Sequence, residues 1–167
     1  MSSNITTRSA TVADLTAILK LHAEVFGPGR FTRTAYRVRE GTPDISPFCR
    51  VAVHGDRVIA ALRMTRIKVG GEGRALLLGP LAVDPEFKGQ GYGRQLVAEV
   101  LDAARAAGVA LVVLVGDEPY YGRLGFTRVP VGQIMLPGPV DPMRLLAAEL
   151  VPGALASTSG LIRADRA

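Results

Sequence analysis

Residues 78 to 96 read LGPLAVDPEFKGQGYGRQL. An apolar run closes at Val83, Asp84-Pro85 breaks it, and Lys88-Gly89-Gln90-Gly91-Tyr92-Gly93 leads directly into a helical pattern. Proline ends a strand because it has no ladder donor. Three glycines at alternate positions remove side chains where a ligand could approach the backbone. The helix start aims unpaired N–H groups and a positive dipole end at the same point, which suits a phosphate. Lys88 and Arg94 add charge on either side of the loop. A dinucleotide fingerprint needs G-x-G-x-x-G and a P-loop needs G-x-x-x-x-G-K-[ST]; the G-x-G-x-G spacing here satisfies neither. The plain alternative is a turn whose glycines only allow tight helix packing.

The patterns on both sides of this stretch alternate between strand and helix. Residues Phe48 to Val53, Arg57 to Val69 and Ala75 to Val83 are strand-like runs separated by His54-Gly55-Asp56 and Gly70-Gly71-Glu72-Gly73, compositions typical of hairpin turns. They predict an antiparallel meander. From Gly91 to Ala107 the residues Leu96, Val97, Val100, Leu101 and Ala104 share one helical face, and Gly108 closes the helix. Residues Ala110 to Val115 are apolar throughout, as expected of a strand covered on both faces and reached by a parallel crossover. Upstream, Thr11 to Phe26 carries a helical rhythm with a capping-box-like Thr11 and Asp14, ended by Gly27-Pro28-Gly29. A second short helix is predicted over Thr32 to Glu40. The Pro/Gly-rich carboxy-terminal part predicts short edge strands and loops. Together these elements predict a mixed α/β sandwich in one domain, residues 1–167.

The loop segment resembles motif A of the GNAT superfamily of acyl-CoA N-acyltransferases, whose pyrophosphate loop is Gln/Arg-x-x-Gly-x-Gly/Ala. Lys88 departs from its first position and would donate to a phosphate as a point charge without a planar fork. Residues 112 to 126, VVLVGDEPYYGRLGF, resemble the family's motif B, with Tyr121, Gly125 and Phe126 as its Tyr-x-x-x-Gly-Phe ending. The two motifs cover the chain from about Phe48 to Phe126.

The resemblance implies a mostly antiparallel sheet, splayed at the acyl-CoA site and flanked by helices on both faces. It implies that Leu81, Ala82 and Val83 form the freed edge along which pantetheine inserts, with an N–H near Leu81 or Ala82 stabilising an oxyanion. Lys88, Gly89, Gln90, Gly91, Tyr92, Gly93 and Arg94 would hold the pyrophosphate. The chemistry implied is direct attack of a primary amine on acetyl-CoA in a ternary complex, with Tyr121 as general acid for the thiolate leaving group. Tyr120, pointing to the opposite side if the segment is extended, is expected to be structural or substrate-lining. Glu24, His54, Glu72, Asp84, Asp117 and Glu118 qualify chemically as a general base. Among them Glu24 is the residue nearest the expected acceptor cleft, with a water chain as the alternative. A non-catalytic acyl-CoA-binding regulatory module is the competing function.

Composition narrows the field further. In a chain of 167 residues, Cys49 is the only cysteine, so no disulfide within the chain and no cysteine-based metal cage is available. No metal cofactor is expected, and Cys49 is expected to be a packed strand residue. No span approaches the ~18 uninterrupted apolar residues that cross a bilayer, and the start lacks a signal-peptide pattern. The expectation is a cytoplasmic protein without a membrane partner. The formal charge is +5, and the basic residues are spread along the chain without a block. That spread argues against a nucleic-acid face, while a charged tRNA acceptor and a homodimer stay open.

Overall fold

The computed structural model describes residues 4–27 and 34–166. Among them, nine strands share one sheet system whose main path runs β1-β2-β3-β4-β5-β8-β6. The amino-terminal half is the predicted meander. β1 (Ile5–Ser9), β2 (Arg50–His54), β3 (Arg57–Val69) and β4 (Glu72–Val83) pair antiparallel in sequence, turning at Gly55 and at Gly70-Gly71. These three glycines have φ of 61°, 57° and 89°, a region that only glycine enters without strain.

Two helices occupy the long connection from β1 to β2. α1 (Leu15–Phe26) follows a single 3-10 turn, and α2 (Thr34–Arg39) supplies the described part of the predicted second helix. Residues 28–33, including Pro28, Gly29 and Thr32, lie outside the described residues. α3 (Tyr92–Ala106) then crosses over to β5 (Leu111–Val115), which lies parallel to β4. α4 (Glu118–Tyr121) is a single helical turn, followed by β6 (Thr127–Arg128), β7 (Ile134–Met135), β8 (Leu145–Glu149) and β9 (Gly160–Ala164).

The carboxy-terminal part departs from the expectation of edge strands. β8 is interior, paired antiparallel with β5 on one side and β6 on the other. β9 pairs with the far end of β3 over Ile67–Val69, beyond the stretch of β3 that pairs with β2. The prolines fall between these strands, where no ladder hydrogen bond is lost.

Both faces of the sheet are covered. On one face the predicted apolar stripe of α3 packs against Leu62, Met64, Leu76, Leu78, Val112 and Leu114. On the other, α1 covers Val51, Val53, Ala61 and Ala82, while Val38 of α2 joins Ile67, Leu77, Val113 and Ile162. Cys49 is buried in this second layer, its Sγ accepting from the Met64 N–H at 3.4 Å, as a packed residue should. Because adjacent residues of β4 face opposite layers, the strand is fixed in register and its end is delivered to the glycine loop.

Candidate active site

β4 and β5 pair only over Ala75–Leu77 and Leu111–Val113. Beyond that point both strands continue, but with other neighbours. β4 keeps its ladder to β3 through Ala60↔Val83, and β5 keeps its ladder to β8 through Val115↔Leu145. The sheet is therefore parted from Leu78 onward, and a cleft of about 1060 Å³ fills the gap.

Which backbone groups face the gap follows from strand geometry. In an antiparallel pair, alternate residues exchange hydrogen bonds with the partner while the residues between them point away. The Asp84 N–H donates to the Ile59 carbonyl at 2.8 Å, so in the same register Ala82 is bonded to Ala61. Leu81 and Val83 then direct their N–H and C=O groups into the gap, and both line the cleft. Ala82, expected at the freed edge, has its backbone tied to β3 and its side chain buried under α1. Of the two N–H groups expected near the oxyanion, only that of Leu81 is offered to the cleft.

At the end of β4 the chain is pinned before it enters the loop. The Asp84 carboxylate accepts from the Glu86 N–H at 3.0 Å and from the Arg57 guanidinium, which also reaches Glu86. Burial would raise the Asp84 pKa, but these hydrogen bonds outweigh it and hold the carboxyl below its ordinary value. Asp84 is thus a capping residue of the turn, not a free base. Phe87 packs edge-on against Tyr92, with ring centroids 6.4 Å apart, and walls the loop.

The loop itself is open for a ligand. Gly89 and Gly91 have φ of 78° and 88°, and Gly91 caps α3 without any side-chain capping bond. The N–H groups of Gly89, Gln90, Gly91, Gly93 and Arg94 donate to no acceptor among the described residues. A helix always leaves its leading amides without internal partners. Lys88, Gly89, Gly91, Tyr92, Gly93 and Arg94 all line the cleft. Gln90 does not; its side chain is exposed and its Nε2 donates to the Glu86 carbonyl at 3.4 Å.

Across the gap, α4 turns both of its tyrosines into the cleft. The rings of Tyr120 and Tyr121 meet edge-on at 4.8 Å, and Tyr121 also packs on Phe126 at 5.8 Å. Tyr120 on the opposite side, the expectation for an extended segment, is corrected by this helical turn. The signal was present in Asp117-Glu118-Pro119, an N-cap residue followed by a proline in the first turn. Gly116 leaves room for the Tyr121 ring, since a Cβ there would stand 2.6 Å from Tyr121 Cε2. Burial, helped by Tyr120 and Asp117 and opposed by Arg144, pushes the Tyr121 hydroxyl up to about 12. Burial also raises Tyr120, while Arg94 pulls it down. Both hydroxyls therefore stay protonated at neutral pH and are proton donors there.

Away from the glycine loop the cleft is bounded by His22, Val25 and Phe26 of α1 and by Tyr36, Arg37 and Arg39 of α2. Sequence reasoning singled out none of the α2 residues. Glu24 lies on the exposed side of α1 and does not line the cleft. Of the other carboxylates considered as a base, only Asp117 lines it, and Asp117 is 3.4 Å from the Arg144 guanidinium. Among the described residues no group of three His, Cys, Asp or Glu side chains stands together to hold a metal. No helix among them is long and apolar enough to cross a membrane.

Comparison with known proteins agrees with this geometry. Residues 15–126 match the family model described as Acetyltransferase (GNAT) family. The chain is 34% identical over 107 residues to the uncharacterized N-acetyltransferase YhbS of Escherichia coli strain K12, a match spanning 64% of this chain and 64% of that relative. The crystal structure of E. coli YhbS in complex with CoA superposes with a TM-score of 0.83 at 27% identity, covering 99% of this chain and 92% of that one. A GNAT family acetyltransferase from Brucella melitensis in complex with acetyl-CoA shares the fold, with a TM-score of 0.64 at 24% identity over 89% of this chain and 97% of that one. The parted sheet, the glycine loop and the family match coincide on the same residues, and the chain belongs to the Acetyltransferase (GNAT) family.

Proposed function

We propose that this protein transfers an acetyl or short acyl group from acyl-CoA to a primary amine by direct attack, with both substrates bound at once. The observation that carries this reading is the parted edge of β4 ending in a loop where the amides of Gly89, Gln90, Gly91, Gly93 and Arg94 have no acceptor among the described residues. Two solved relatives of this fold are complexes with CoA and with acetyl-CoA. The residues present fit that group: an extended arm matches the gap between β4 and β5, and an anionic diphosphate matches the start of α3.

Acyl-CoA would supply an activated thioester; the chain's own groups do the rest. The amides of Gly89, Gly91, Gly93 and Arg94, with the charges of Lys88 and Arg94, hold the diphosphate. The backbone groups of Leu81 and Val83 pair with the pantetheine arm as a neighbouring strand would. The Leu81 N–H, pointing into the gap, stabilises the negative charge that builds on the thioester oxygen. The Tyr121 hydroxyl delivers a proton to the departing sulfur. Asp117 is the one carboxylate among the described lining residues and can share in removing the proton from the amine, but with Glu24 turned outward a water chain is the simpler route.

The test is release of free thiol from acetyl-CoA in the presence of a broad amine panel. Amine-dependent release above the solvent background is expected. Tight CoA binding without turnover on any amine would point instead to a non-catalytic acyl-CoA-binding module. An aminoacyl-tRNA acceptor would show itself as RNA affinity that falls steeply with salt.

A further inference from the structure

Charge in the cleft is one-sided. Its described lining contains Arg37, Arg39, Lys88, Arg94 and Arg144 against the single carboxylate of Asp117, which Arg144 already engages at 3.4 Å. Lys88 and Arg94 flank the glycine loop and are accounted for by a diphosphate. Arg37 and Arg39 line another part of the cleft.

Their position separates them from the loop. A Cβ on Gly79 would stand 3.1 Å from Arg39 Nη2, so this guanidinium lies against β4 where the strand parts from β5. Gly79 precedes Val83 by four residues, roughly 13 Å along a strand at ~3.3 Å per residue, and the loop lies beyond Val83. Arg37 reaches the same side from α2, with Nη1 3.4 Å from where a Cβ on Gly138 would be. It is exposed and makes no ion pair among the described residues. The segment carrying Gly138 is fixed to α2 by the Thr34 hydroxyl, which donates to the Pro139 carbonyl at 2.6 Å.

We infer that the acceptor is an amine that carries an acidic group, carboxylate or phosphate, which Arg37 and Arg39 receive while its nitrogen faces the thioester. Resting on the acyl-transfer reading above, this names the substrate class of the same site. A guanidinium offers a planar fork matched to either oxyanion. The same field repels acceptors with further ammonium groups, such as polyamines and lysine-rich peptides.

Acetyl transfer by the intact protein is measured across matched acceptors: α- and ω-amino acids against their amides, aminoalkyl phosphates against amino alcohols, and polyamines. Rates are expressed per unprotonated amine. The anionic member of each pair is expected to show kcat/KM higher by about tenfold, and polyamines to be poorest. Arg37→Gln should remove most of that advantage while the Kd for CoA stays within about twofold. Arg39→Gln should do the same, and since Arg39 is buried, its fold is checked by thermal melting. The better of the carboxylate and phosphate arms identifies the acidic group. Equal or better rates with neutral or polycationic amines overturn the inference and leave acyl transfer standing. No transfer to any amine removes both.

Discussion

The Tyr120 hydroxyl closes over Gly93, so that a Cβ on Gly93 would stand 2.8 Å from that oxygen, with Leu81 Cδ2 and Val83 Cγ2 each 3.4 Å away. The first turn of α3, the end of β4 and α4 therefore meet at one residue. Gly93→Ala should push Tyr120 aside and weaken CoA binding by about tenfold, even though alanine is the better helix former. Adding Tyr120→Phe, which removes the clashing oxygen, should restore most of the affinity. Calorimetric Kd values for CoA across the two single variants and the double variant check this coupling. Equal losses in the single and double variants would rule out the steric account.

Tyr121→Phe removes the proposed proton donor with little change in shape. The expected result is a fall in kcat of about a hundredfold or more with the Kd for CoA kept. The sign of the pH dependence follows from the raised hydroxyl, which acts in its protonated form and loses it only as pH climbs toward about 12. A pH–rate profile should therefore show no alkaline fall between pH 7 and 10 that disappears in the variant.

Gly91 caps α3 at φ 88°, ψ 5°, with nothing within 4 Å of where a side chain would begin. Its requirement is conformational and not steric. Gly91→Ala should cost about 1–2 kcal/mol of left-handed strain. The loss should appear both in melting temperature and in CoA affinity, because the same residue sets the direction of the loop amides.

Asp14 shows a separate acid dependence. Its carboxylate receives both Arg8 nitrogens, at 2.7 and 2.8 Å, and the Thr11 N–H at 2.8 Å, which together hold it down at about 2. A carboxyl lowered on folding contributes stability above its unfolded pKa of ~3.9 and loses it as pH falls toward about 2. Asp14→Asn should cost about 1–2 kcal/mol at pH 7, as for loss of a helix cap. Melting curves from pH 7 down to 2 should show the gap between native and variant narrowing below about pH 4.

The loop, the meander and α3 were legible because their signals are local. Glycines mark the turns, and Leu96, Val97, Val100, Leu101 and Ala104 recur at the helical period. β1 was not legible: residues Ile5–Ser9 have no fully buried member, so no apolar alternation announces a strand that exists through pairing with β2. β8 is apolar, but its interior place depends on β5 needing a partner on the side away from β4, a long-range requirement. The family motifs pointed to the glycine loop and the end of β4, which the structure brings to one cleft. Arg37 and Arg39 carry no motif, and they come to the cleft only because α2 packs beside β9, from where the Arg39 guanidinium reaches Gly79 of β4.

A sheet that stops pairing past Leu77 leaves amide and carbonyl groups along β4 without the neighbour that a continuous sheet would give them. The molecule that settles there would complete the architecture as well as react in it. If it binds the folded chain alone, a free concentration a hundredfold above its Kd adds about 2.7 kcal/mol of stability. The working lifetime of the protein would then rise and fall with the supply of its own donor, so that a starved cell would hold a looser, shorter-lived population than a well-fed one.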